Sequence, residues 1–173
     1  MSVVAVKIYD DKIEMAADSI ITCGSRKELF YNSWTKLNHI NDMIIGTCGS
    51  CEEGALMWLY AKNHRPLAAT ERDIMEFVME FTEWKKDRTG NCNLNNHYII
   101  AYENKAFYIE NYLVIEVTKY SAIGAGADYS LAALYLDKTA EEAVKVACDL
   151  SCFVSEPIVT YVMEKGEKAN ASN

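Results

Sequence analysis

No stretch of this 173-residue chain approaches the roughly 20 consecutive apolar residues of a membrane-spanning helix. No basic stretch precedes its first apolar run, Val3-Val4-Ala5-Val6, so the beginning does not read as a secretory signal. Nor is there a clustered Lys/Arg face. Lys and Arg number 17 against 25 Asp and Glu, and a net charge of −8 argues against a nucleic-acid-binding surface. Internal repeats, low-complexity segments and linkers are also missing. What remains is an expected single domain over residues 1–173, cytoplasmic, with no membrane or nucleic-acid partner and a polar end that frays from about residue 165. The six cysteines are expected to be reduced thiols, not a disulfide framework.

What is present is a pattern whose period changes. Val4, Val6 and Ile8 alternate with smaller or polar residues, Asp10-Asp11 marks a turn, and Ile13-Glu14-Met15 resumes the alternation. Cys23 to Asn32 is polar, contains Gly24 and Ser25, and reads as a loop. Trp34 to Ile40 alternates again, and Asn41-Asp42 turns the chain into a short buried strand, Met43 to Gly46. Helical spacing then takes over. Ala55, Leu56, Leu59 and Tyr60 line one face of Glu52 to Asn63. Ile74, Phe77, Val78, Phe81 and Trp84 line one face of Thr70 to Arg88, and Thr70 with Asp73 forms a helix-start signal.

Three more strands are expected: His97 to Tyr102, Lys105 to Glu110 and Leu113 to Tyr120. A helix follows Gly124-Ala125-Gly126 from Asp128 to about Leu136. Another runs from Ala140 to about Phe153, with Thr139 and Glu142 spaced as a capping box. Pro157 stops it, and Ile158 to Met163 is a last strand. Parallel βαβ folds alternate single strands with single helices, whereas here helices come in pairs between β blocks. The expected class is α+β, a four-layer α-β-β-α sandwich.

The chemistry gathers at the N-terminal end. If Met1 is removed, Ser2 carries both a hydroxyl and a free α-amine. The amine's reference pKa of roughly 7.7–8.0 suits a general base, so one residue can hold nucleophile and base. Taken alone, a serine at position 2 is common and usually means nothing. A hairpin turned near Asp10-Asp11, however, returns Asp18 beside the start of the first strand. Lys36 lies in an alternating stretch where Trp34 and Lys36 face opposite to Leu37. Facing Asp18, it forms a buried pair whose positive charge favours the serine alkoxide and an uncharged amine. Gly49-Ser50 closes a buried strand before a helix. A backbone amide there can donate to an oxyanion, and a plain strand-to-helix turn explains the glycine equally well.

These residues resemble the proteasome β-type peptidases, most closely the bacterial HslV and Anbu branches. Counted from Ser2, Ala16-Ala17-Asp18 falls at the family's spacing, with Asp11-Lys12 at the usual turn. Lys36-Leu37 with Ile40 matches the segment of the catalytic lysine, and Gly46-Thr47-Cys48-Gly49 matches the strand ending at the oxyanion glycine. Ile123-Gly124-Ala125-Gly126 resembles the family's Gly-Ser-Gly segment. The likeness runs from Ser2 to about Met163 and implies a self-compartmentalising peptidase without cofactor or metal. It implies rings of six or seven subunits, often stacked in pairs, which take unfolded polypeptides from an AAA+ ATPase of the HslU type.

The departures are a serine where most of the family has threonine, two extra residues before Lys36, and Ala125 in place of a serine that bonds the amine. Ser151 and Ser155 stand near another amine-facing position. The substitution at Ala125 keeps open a catalytically silent ring scaffold. Cys48-Gly49-Ser50-Cys51, opening a helix, also fits a dithiol oxidoreductase with a lowered first thiol. A zinc site from Cys48, Cys51, Cys92 and His97 lacks a recognised second half. Cys148 and Cys152, one turn apart, read as core, and the tyrosines from Tyr98 to Tyr120 as sheet packing.

Overall fold

The computed structural model describes residues 2–23, 26–28 and 34–166. Strands β1 (Val4–Ile8) and β2 (Lys12–Ala17) form the expected hairpin, pairing Val4 with Ala17 and Ile8 with Ile13. Short strands β3 (Ile21–Cys23) and β4 (Arg26–Glu28) pair with each other, so part of the expected loop is a small ribbon. Next come β5 (Leu37–Ile40), β6 (Met43–Cys48) and the helices α1 (Cys51–Ala61) and α2 (Glu71–Thr89). Strands β7 (His97–Tyr102), β8 (Lys105–Glu110), β9 (Leu113–Val117) and β10 (Tyr120–Ile123) follow. Helices α3 (Ala127–Tyr135) and α4 (Ala140–Leu150) and strand β11 (Val159–Glu164) complete the order.

The two large sheets are antiparallel, ordered β10-β1-β2-β11 and β5-β6-β7-β8-β9. Side-chain alternation sorts the apolar residues into three layers. Tyr98 and Ile100 of β7 point toward α1 and α2, where they meet Met57, Ile74, Phe77 and Phe81. Ile99 and Ala101 point the other way and meet Val4, Val6, Met15 and Leu37 between the sheets. Val3, Ala5 and Ala16 leave the far side of the first sheet to pack on Ala140, Ala143, Val144 and Ala147 of α4. A strand buried on both faces has no polar side, which is why β7 reads as a nearly continuous apolar run. The result is an α-β-β-α sandwich. No helix among the described residues is long and apolar enough to cross a membrane.

The helix starts follow their sequence signals. Thr70 accepts from the Asp73 amide, and Thr139 with Glu142 makes the reciprocal capping box. Other boundaries differ. Leu113 to Tyr120 is not one strand, because the chain leaves the five-stranded sheet after Val117 and joins the other sheet at Tyr120. The Lys119 carbonyl there already accepts from the Ile8 amide at 2.7 Å. Helix α4 stops at Leu150, well before Pro157. Ser151 is extended and its hydroxyl accepts from the Phe153 amide at 3.2 Å, so a local side chain ends the helix. The polar end is tied down as far as Lys165, whose amide donates to the Asp11 carbonyl at 2.8 Å. The rest of the expected tail, from residue 167, lies outside the described residues.

Candidate active site

The β1–β2 register places Asp18 immediately beside Val3. The Val3 amide donates to Asp18 Oδ1 at 2.8 Å, and the Asp18 amide returns to the Val3 carbonyl at 3.3 Å. Lys36 Nζ donates to both carboxylate oxygens at 2.8 Å. The amides of Ile20 and Ser155 reach Oδ2 at 3.3 and 3.4 Å. Asp18 is fully buried and the Lys36 side chain is 5% exposed. Desolvating two charges offsets most of their attraction, so such a pair is a weak stabiliser. Its position one residue from Ser2 is the more informative feature.

Lys36 precedes β5 instead of lying within it. Its carbonyl still accepts the Thr47 amide at 2.8 Å, which prolongs the β5–β6 ladder. Trp34 and Lys36 do not share a side as expected. Trp34 packs on Trp58 in the helix-facing core, with ring centroids 4.1 Å apart, while Lys36 reaches across to the other sheet. The backbone is not yet strand at these positions, so strict alternation does not hold there.

Ser2 is 4% exposed and is held mainly through its backbone. Its carbonyl accepts the Gly126 amide at 3.1 Å. Gly124 sits at φ +95°, and a Cβ there would lie 2.3 Å from the Ser2 oxygen and 2.8 Å from Cys48 Sγ. The segment can therefore close over Ser2 only with glycine at 124. Cys48 donates to the Ile123 carbonyl at 3.5 Å. Burial pushes its thiol up to about 12, against the opposing charge of Lys36, so it is neutral. Ser2, Cys48, Gly49, Asn95, His97, Gly124 and Ala125 line a shallow cavity of about 290 Å³. The four residues singled out in the sequence thus gather in one place: Ser2 and Gly49 on the cavity wall, Asp18 and Lys36 behind Ser2.

Behind Gly49 lies a polar cluster that sequence reasoning missed. Asn96, fully buried, accepts the Ser50 amide on Oδ1 at 2.6 Å. Its Nδ2 donates to the Ser50 carbonyl at 2.8 Å and to Thr47 Oγ1 at 3.0 Å. Glu53 of α1 accepts the Asn95 and Asn96 amides, the Tyr98 hydroxyl at 3.1 Å, and Lys85 Nζ of α2 at 2.7 Å. Burial alone would raise the Glu53 carboxyl, but Lys85 and the two amides outweigh it and hold it below its usual value. Lys85 falls four residues after Phe81 on the apolar face of α2. A lysine on a core-facing stripe is the one signal that could have found this pair.

The other groupings fare differently. Burial raises the Cys48 thiol, and the Cys51 thiol, at the surface but partly desolvated by its neighbours, is raised and not lowered, so the dithiol reading loses the activated thiol it requires. Among the described residues, no group of three or more His, Cys, Asp or Glu side chains gathers as a metal site. Cys148 is half-buried and Cys152 exposed, because α4 ends before Cys152 and does not carry it into the core. Ser155 meets Asp18 through its amide, and Ser151 caps α4.

No family model matches the chain. The ATP-dependent protease subunit HslV of Campylobacter concisus (strain 13826) is 29% identical over 140 residues, spanning 73% of this chain and 77% of that protein. Among solved structures, Thiobacillus denitrificans BPH in complex with epoxomicin superposes with a TM-score of 0.84 at 21% identity, covering 95% of this chain and 99% of that one. HslV from Trypanosoma brucei gives 0.71 at 22% identity over 94% and 99%. Anbu, the ancestral beta-subunit from Yersinia bercovieri, gives 0.70 at 14% identity over 95% and 81%. At these identities the structural matches speak for the fold, and the sequence match points to the same group. The chain thus has the fold that HslV, Anbu and BPH share, and its sequence is similar to that of an HslV protease subunit.

Proposed function

We propose that this protein cleaves peptide bonds with Ser2 as nucleophile, once processing removes Met1 and leaves Ser2 at the terminus. The observation that carries the reading is the backbone clamp on Ser2: Gly126 holds its carbonyl, and the next amide is fixed to an Asp18 carboxylate that grips Lys36. The hydroxyl attacks the substrate carbonyl while the freed α-amine takes its proton. Lys36 favours the developing alkoxide, Asp18 holds Lys36 in place, and the Gly49 amide donates to the tetrahedral oxyanion. Collapse expels the amine half of the substrate with the proton from the α-amine. Water then attacks the acyl ester, releasing the acid half and regenerating the hydroxyl.

Unfolded polypeptides are the proposed substrates, delivered to homo-oligomeric rings by an AAA+ ATPase. The support is the likeness to an HslV that is described as the subunit of an ATP-dependent protease. A cytoplasmic location goes with this reading. The test is intact mass spectrometry of the purified protein after treatment with a β-lactone. The expected result is loss of Met1 and one acyl adduct mapped to Ser2. A retained Met1 with no adduct on Ser2 overturns the reading.

A second reading, ring assembly without turnover, draws on Ala125, which lines the cavity where the family pattern has a serine. Its signature is an assembled ring whose peptide hydrolysis is unchanged by Ser2→Ala.

A further inference from the structure

We infer that Asn96 is a positioning residue for the reaction: it fixes the Gly49-Ser50 turn so that the Gly49 amide faces the reacting carbonyl. This deepens the proposed function and rests on it. A lone amide at the end of a strand cannot serve as a preorganised donor, because a turn with few restraints reorients when charge develops. Here the turn is restrained from one side by a single side chain. Asn96 takes the amide of Ser50 with its oxygen and the carbonyl of Ser50 with its nitrogen, so one carboxamide satisfies both backbone groups of the residue after Gly49. A third bond, to Thr47 Oγ1, ties the same carboxamide to the strand that leads into the turn.

Gly49 is shaped to this arrangement. It sits at φ +140°, and a Cβ there would lie 2.2 Å from Asn96 Oδ1 and 3.1 Å from its Cα. The glycine lets Asn96 come close enough to grip Ser50, which explains its presence beyond the needs of a strand-to-helix turn. Asn96 is held in turn by the Glu53 carboxylate, which accepts its amide at 2.9 Å. Lys85 and Tyr98 fix that carboxylate. Every polar group in the chain from Lys85 to Ser50 is thus partnered. A satisfied buried network of this kind is rigid, which is what a fixed hydrogen-bond donor requires.

The inference separates two properties of the site, reactivity of the nucleophile and stabilisation of the oxyanion. A peptide aldehyde captured by Ser2 forms a hemiacetal whose oxygen occupies the oxyanion position. A peptide vinyl sulfone is captured by addition of the hydroxyl across its carbon–carbon double bond and places no oxyanion beside Gly49. Asn96→Ala is expected to lose aldehyde affinity by about 10- to 100-fold, less than the roughly 100- to 1,000-fold for removing an oxyanion donor outright. Its vinyl sulfone labelling rate should stay within about two-fold, and hydrolysis should fall through kcat with little change in KM. Unchanged aldehyde affinity overturns the inference, and so do equal losses on both probes, which mean general damage. If Asn96→Ala does not fold, Asn96→Asp and Thr47→Val carry the same comparison, since each removes part of the grip. If the unmutated protein takes no vinyl sulfone on Ser2, the proposed nucleophile falls, a result distinct from any difference between variant and parent.

Discussion

Among the described residues two lysine–carboxylate pairs are buried, and they are built alike. Lys36 and Asp18 are 5% and 0% exposed, and Lys85 and Glu53 are 4% and 6%. Each carboxylate also collects backbone amides: Val3, Ile20 and Ser155 on Asp18, and Asn95 and Asn96 on Glu53. The difference is what lies next to them. The first pair bonds the amide adjoining Ser2, so its charge is felt where the proposed bond-making occurs. The second pair meets the cavity through Asn95, which lines it, and through Asn96, which grips the Gly49-Ser50 turn, and in the proposed reaction it governs where an amide points. In the proposed reaction, similar local chemistry thus supplies field in one place and geometry in the other, and what each pair touches decides which.

Mutation should break the comparison in a graded way. The largest expected effect is that of Ser2→Ala, with peptide hydrolysis falling about 1,000-fold or more, to background, in a steady-state assay. Lys36→Met and Lys85→Met come next. Each strands a buried carboxylate and should cost about 3–5 kcal/mol in chemical denaturation. They should part company on the vinyl sulfone, which Lys36→Met fails to capture while folded Lys85→Met is still labelled on Ser2.

A smaller effect appears with acid. The Glu53 carboxyl is held below its ordinary value, so its contribution to stability is complete above its unfolded pKa of about 4.3 and is lost as pH falls through the folded value. Glu53→Gln should therefore flatten the acid limb of a melting-temperature profile while the neutral limb keeps its shape. An equally steep limb would remove Glu53 from the account. The smallest effect belongs to Arg72, paired with Glu76 at 2.9 Å on the exposed face of α2. Arg72→Ala should leave the melting temperature unchanged within error, because solvent screens such pairs.

The sandwich was legible because its signals are local. Alternation in Val4, Val6 and Ile8, capping at Thr70 and Thr139, and paired helices between β blocks each involve neighbours in the chain. Asp18 was legible for the same reason, since a hairpin's parity fixes what stands opposite its first residues. The Leu113 to Tyr120 break was not, for that stretch has no Gly, Pro, Asn or Asp to mark a change of sheet. The cluster behind Gly49 was hidden by distance: Glu53 and Lys85 are 32 positions apart, and Glu53 and Asn96 are 43. A single buried charge on a helix gives no hint of which distant group neutralises it.

Ser2 and Asp18 adjoin the strands β1 and β2 of one sheet, while Cys48 ends β6 of the other, with Gly49 following it and Lys36 preceding β5. On the proposed chemistry, neither half of the sandwich acquires competence by itself, and a chain still condensing has nothing with which to attack its neighbours. Appearance of a reactive terminus during refolding therefore marks the moment the two leaves close.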